Sequence, residues 1–270
     1  MAAGVGLAVL VLVGVAFRPG GSSPGPPAGS AAVAAAVAAA RVATIPASTF
    51  DAVGTNGALA VPERLHDQPD LVLRGLPEVF YDGADFCPYC AAERWALVAA
   101  LSRFGTFSGL TSTSSGAHDV YPNTATFSFT GSRYTSRYVA FVGLEEYSNA
   151  IENGAYVRIA RPSAAQSRLM ATYETAPYAH GAGFPFVDVA NRYLVPGGAV
   201  DPAVLAGHSF DAISRTLGDP ASPIAHVVDG AANLFAAAIC DATGRHPSDV
   251  CASPGVRSAR ARLAAERPLP

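Results

Sequence analysis

The sequence predicts an α/β fold closed by a helical end-piece, and three observations carry that prediction. The run PEVFYDGADF (residues 77–86) has a short apolar and aromatic core bounded by Pro77 and Gly83, as a buried strand requires. The stretch behind it, residues 87–105, repeats Trp95, Val98, Leu101 and Phe104 at helical spacing, with Pro88 placed for the first turn and Gly105 as the stop. Further on, FPFVDVANRYLV (residues 184–195) reads as strand, turn and strand, with Asn191 at the bend.

Taken in order, residues 2–17 are apolar or glycine and end at Arg18, slightly short of the roughly 20 residues a spanning helix wants. Residues 1–18 are therefore expected to be a signal anchor or a signal peptide, and either places the remainder outside the cytoplasm. An anchored protein at the cell membrane is the first expectation and a secreted one the second. Residues 19–43 read as a flexible Pro/Gly/Ala linker, 44–256 as the folded domain and 257–270 as a frayed tail. Within the domain, TATFSF (residues 124–129) alternates with period two, and residues 134–141 continue in aromatic, β-prone fashion. Residues 163–174 read as a helix, and helical segments follow around 202–206, 210–217 and 224–240. The order is thus β, α, β, α, β, β, then helices.

Composition narrows the function. Of 270 residues, 50% are hydrophobic and 14% charged, and every one of the 18 basic residues is arginine. A net charge of −3 offers no basic field for a phosphate backbone, so no nucleic-acid partner is expected. The six histidines are scattered singly, which favours surface or satisfied side chains over metal ligands. No glycine-rich phosphate cradle follows a strand.

The chemistry lies in Cys87-Pro88-Tyr89-Cys90. Where a strand gives way to a helix, Cys87 sits over the unpaired amides and positive dipole end of that helix, which stabilises its thiolate. Cys87 is the expected attacking sulfur. Cys90, one turn deeper, is close enough to close a disulfide and better shielded, and so resolves a mixed disulfide. Pro88 suits the first helical turn, and Tyr89 is placed to cover the sulfurs or meet a substrate. Half a zinc site and an inert disulfide across Cys87 and Cys90 are the competing readings; the first lacks a second close Cys pair. The electrons reside in the cysteine pair, so no cofactor and no metal is expected.

Cys240 and Cys251 enclose GRHPSD and are expected to form a structural disulfide, with an electron relay to the dithiol as the rival role. Asp82, Asp85, Glu93 and Arg94 flank the dithiol; solvated charges are the first expectation and pKa tuning the second. Tyr121, Tyr134, Tyr138 and Tyr147 are expected to pack on strand faces, with a peptide groove as the alternative. Phe184-Pro185-Phe186 begins an extended segment where a proline is tolerated.

Strand, CPYC helix, later X-Pro strand and hairpin resemble the thioredoxin superfamily. That resemblance implies a thioredoxin-like fold, a central mixed sheet flanked by helices, here with insertions and a C-terminal helical extension. It also implies that Pro185 is a cis-proline beside Cys87, with the Phe184 backbone free to pair with a bound peptide. The stretches FYDGADFCPYCAAERWALVAALSRFG, TATFSFTGSRYTSRYVAF, FPFVDVANRY and AAAICDATGRHPSDVC are more specifically similar to the thioredoxin-like family called domain of unknown function 929. The expected function is an extracytoplasmic thiol-disulfide oxidoreductase acting on protein thiols or disulfides, served by a membrane-bound or soluble redox partner. A non-catalytic surface binding module that keeps the fold is the alternative.

Overall fold

The computed structural model describes residues 28–175, 178, 183–195, 197–266 and 269. The apolar segment 1–18 and the first part of the expected linker lie outside the described residues. Helices α1 (Ala28–Ala43) and α2 (Ala47–Val53) come first. Short strands β1 (Glu63–Arg64) and β2 (Val72–Leu73) lead into β3 (Leu76–Gly83), and α3 (Pro88–Leu101) follows. Then come β4 (Gly105–Ser108), β5 (Thr111–Ser114), β6 (Ala125–Ser128), β7 (Arg133–Ser136) and β8 (Ala140–Glu145). A hairpin of β9 (Tyr147–Glu152) and β10 (Ala155–Arg158) precedes α4 (Ala164–Tyr173). Strands β11 (Phe186–Val189) and β12 (Tyr193–Val195) are followed by a 3-10 turn and helices α5 (Phe210–Thr216), α6 (Pro223–Ala242), α7 (Ser248–Cys251) and α8 (Pro254–Ala265).

A six-stranded mixed sheet runs β1-β12-β11-β3-β2, with β8 also on β3. β3 and β8 are parallel from Glu78↔Ala140 to Gly83↔Glu145, whereas β11 lies antiparallel to β3 from Phe186↔Asp82 to Val189↔Val79. Because side chains alternate along a strand, Val79 and Tyr81 enter the large core under α3 and α6, and Phe80 enters a smaller core with Phe186, Met170 and Tyr173. Both faces of β3 are covered, which is why Val79, Phe80 and Tyr81 at its centre are all apolar or aromatic rather than alternating with polar residues.

The hairpin 184–195 forms as expected, with Ala190 and Asn191 at positive φ in the bend. Helix α3 stops at Leu101, and Gly105 opens β4 instead of ending the helix. A Cβ at Gly105 would sit 2.4 Å from the Thr135 carbonyl, so the glycine serves close strand approach. The region between α3 and β8 holds more strands than its Ser/Thr-rich sequence suggests, because β4/β7 and β5/β6 are paired ribbons whose half-exposed side chains leave a weak alternation.

The folded region is longer at both ends than the sequence predicts. The part of the expected linker from Ala28 onward is helix, and α1 buries Ala35, Ala38 and Val42 in the main core while Arg41 pairs with Asp211. Likewise most of the expected tail is α8, which buries Ala259 and Leu263. Alanine-rich composition looks featureless in sequence, yet it allows close helix packing once a groove is present. Helix α6 is long and apolar enough to cross a membrane, but 83% of its most apolar window is buried within the fold, as befits a core helix. The broken pair Gly29–Ala43 and Ala47–Val53, bent by 75°, meets the same test only when joined.

Candidate functional site

Cys87 is the N-cap of α3 and Pro88 occupies its first turn. The extended backbone at Cys87 turns its sulfur over the free amides, and Sγ accepts the Cys90 N–H at 3.2 Å. Cys87 is 6% exposed and Cys90 0%; both are free thiols. Hydrogen bonding from the Cys90 thiol, the Cys90 amide, the Arg94 charge and the Tyr89 amide together lower the Cys87 pKa, outweighing burial. Burial pushes the Cys90 thiol well above its ordinary value, and the Cys87 sulfur adds to this. The two sulfurs are thus unequal: Cys87, barely accessible, is the more acidic, and Cys90 is sealed beneath it and held as a thiol.

The Phe184–Pro185 peptide is cis and lies beside this pair, with the Cys87 thiol 3.8 Å from the Phe184 carbonyl oxygen. The space around Cys87 is aromatic. Phe86 stacks on Tyr156 of β10, with centroids 4.0 Å apart and planes 8° apart, and its edge meets Tyr147 and Phe184. On the other side Tyr89, 36% exposed, stands edge-on to Tyr121. The β9–β10 hairpin is fixed to the site by backbone bonds from Asp85 N–H to Tyr147 O and from Glu146 N–H to Gly83 O. Of the four tyrosines considered from sequence, Tyr121 and Tyr147 reach the site. Tyr134 instead donates to Leu101 O and packs on Phe107, and Tyr138 lies under Arg137. Sequence reasoning missed Phe86 and Tyr156, since their stacking joins positions far apart in the chain.

The charges flanking the dithiol are not solvated, contrary to the first expectation. Asp82, Asp85, Glu93 and Arg94 are all buried. Helix α3 is covered on nearly every side, so its polar residues face protein rather than water. Arg94 Nε lies 2.8 Å from Glu145 Oε1 and donates to the Tyr81 hydroxyl. Its two terminal nitrogens donate to Phe127 O, Ala84 O and Glu145 Oε2. Burial raises the Glu145 pKa to about 7 against the pull of Arg94. Glu93 accepts the Ala199 N–H, and burial raises its pKa to about 8. Asp82, on the opposite face of β3, is also raised to about 8, by burial and then by Glu146.

Cys240 and Cys251 form a disulfide with Cα atoms 5.6 Å apart, joining α6 to α7. Both residues are buried, which suits a clip more than a relay. Among the described residues, no group of three or more His, Cys, Asp or Glu is arranged to hold a metal ion.

The fold and site define an α/β protein with a free Cys-x-x-Cys dithiol at a helix start, facing a proline-led strand. The family described as Domain of unknown function (DUF929) matches residues 66–241, more than half of the chain, and the protein belongs to that family. No curated protein and no solved structure matches the chain.

Proposed function

We propose that the protein is a thiol-disulfide oxidoreductase acting on protein disulfides through Cys87 and Cys90. The observation that carries this reading is the inequality of the two sulfurs: Cys87 caps α3 with its pKa lowered, while Cys90 is sealed one turn below with its pKa raised by burial. A thioredoxin-like fold is supported by the strand order β8-β3-β11-β12, by the helix leaving β3, and by Pro185 leading β11 against the dithiol.

In the reducing direction the Cys87 thiolate attacks one sulfur of a substrate disulfide. A Cys87–substrate bond forms, and the other substrate sulfur leaves as a thiolate that takes a proton from water. Cys90 then attacks Cys87 Sγ, which breaks the Cys87–substrate bond; the Cys90 proton passes to the second substrate sulfur as it leaves, and a Cys87–Cys90 disulfide remains. Two electrons have passed to the substrate, and the reverse sequence oxidises a substrate dithiol. The Phe184 carbonyl and the aromatic surroundings are where a bound chain would lie. The buried Cys240–Cys251 disulfide and the apolar segment 2–17 support an extracytoplasmic, membrane-anchored setting.

The test is Cys90→Ser in the full chain, expressed in the native host. Mixed disulfides with cellular proteins that are lost on further Cys87→Ala replacement are the expected result. An unreactive Cys87, with no adduct under oxidising or reducing conditions, overturns the reading.

A further inference from the structure

The guanidinium of Arg94 is wholly buried beneath the dithiol. Arg94 and Cys90 are four residues apart on α3 and so neighbours along the helix. The Ala84 carbonyl joins the charge to the attacking residue, because it accepts both from Arg94 at 2.6 Å and from the Cys87 N–H at 3.2 Å. The charged and titratable groups facing Arg94 come from each element around it: Tyr81 on β3, Asp85 in the loop before α3, Glu145 on β8, and the two cysteines; β6 contributes the neutral Phe127 carbonyl. Glu145, 2.8 Å away, and Asp85, 3.7 Å away, are the carboxyl groups that balance Arg94. When the disulfide is reduced and Cys87 is a thiolate, a further negative charge enters the same dry cluster, where one cation faces too many anions.

We propose that Arg94 is a positioning residue that stabilises the reduced dithiol, and that Glu145 gates this effect by taking up a proton when the dithiol forms. The inference rests on the dithiol being redox-active, as proposed above. A small dithiol reductant supplies two electrons and two protons to the Cys87–Cys90 disulfide; one proton stays on Cys90, and the other goes to Glu145 while Cys87 remains a thiolate. The raised pKa of Glu145, caused by its burial, is consistent with such an acceptor.

The experiment equilibrates the full chain with dithiothreitol of defined redox ratio between pH 5.5 and 8.5, for the unmodified protein, Glu145→Gln and Arg94→Lys. Glu145→Gln removes the competing negative charge while keeping an acceptor for Arg94, and is expected to shift the equilibrium about tenfold toward the dithiol at pH 8, a change equivalent to one pKa unit. Arg94→Lys, which keeps the charge but not the bidentate geometry, is expected to shift it several-fold toward the disulfide at unchanged fold. A reduced-minus-oxidised infrared spectrum of the unmodified protein at pH 7 gives a second readout, independent of any variant: a protonated-carboxyl band should appear on reduction. Absence of that band, or a poise in folded Glu145→Gln within twofold of the unmodified protein, overturns the inference. If the unmodified protein exchanges reversibly in either case, the oxidoreductase reading survives; if it forms no reversible disulfide, both fall.

Discussion

The Cys90 amide donates to the Cys87 sulfur at 3.2 Å, so one residue of the pair favours the thiolate form of the other. The Cys90 thiol adds the largest single contribution to the lowered Cys87 pKa. Cys90→Ala keeps the amide and removes the thiol, and Cys87 in that variant should alkylate several-fold more slowly near pH 7. Iodoacetamide labelling followed by mass spectrometry across a pH series checks this; an unchanged or faster rate contradicts it.

Tyr156 roofs Phe86, the residue before Cys87. Such stacking contributes about 0.5–1.5 kcal/mol beyond area burial. Tyr156→Ala should reduce the yield of trapped mixed disulfides with protein partners several-fold, while the iodoacetamide rate at Cys87 stays the same. A parallel fall in both would make Tyr156 a structural support only.

Glu93 makes stability fall as pH rises. Its folded pKa, raised to about 8 by burial, means the native state keeps a proton that the unfolded chain releases above about 4.5. Its contribution is complete below the unfolded value and is lost as pH climbs through the folded one, by about 5 kcal/mol at most. Asp82 and Asp229, also near 8, act in the same direction. Urea midpoints should therefore be higher at pH 5 than at pH 8.5, and Glu93→Gln should flatten that slope. A flat profile in the unmodified protein would refute the assignment.

Helix α6 meets the loop after α2 at Gly230, where an added Cβ would lie 2.3 Å from the Asn56 carbonyl oxygen. Gly230→Ala should cost about 1–3 kcal/mol, in line with overpacking of a tight core. Gly29→Ala, with open space around it, should be neutral or slightly stabilising in the same thermal denaturation series.

The Cys240–Cys251 bridge closes a short loop at a sequence separation of 11. Replacing both residues by alanine should lower unfolding free energy by about 2–4 kcal/mol and leave the Cys87/Cys90 equilibrium with dithiothreitol unmoved. Intact stability with blocked turnover would restore the relay role.

The start of α3 was legible because everything that makes it is local: an extended Cys87, Pro88 in the first turn, and a thiol three residues on. The 184–195 hairpin was legible for the same reason, since Asn191 and its neighbours supply the bend. Helix α1 was not, because its alanines carry no pattern until they meet the core that covers Ala35 and Ala38. The burial of Glu93 and Arg94 was equally hidden. Charges on a helix normally face water, and only enclosure of α3 on nearly all sides turns them inward.

By itself the sequence determined where on a helix the Cys87 and Cys90 sulfurs sit, along with the succession of the central strands and helices along the chain, because capping and side-chain periodicity act over a few residues. The tertiary structure alone decided what surrounds those sulfurs. Arg94 meets Glu145 across 51 positions because β8 runs parallel to β3 with Gly83 opposite Glu145, and Tyr156 reaches Phe86 because a hairpin folds back over the loop. Register and burial are collective properties of the packed chain, and the electrostatics of the dithiol follow from them.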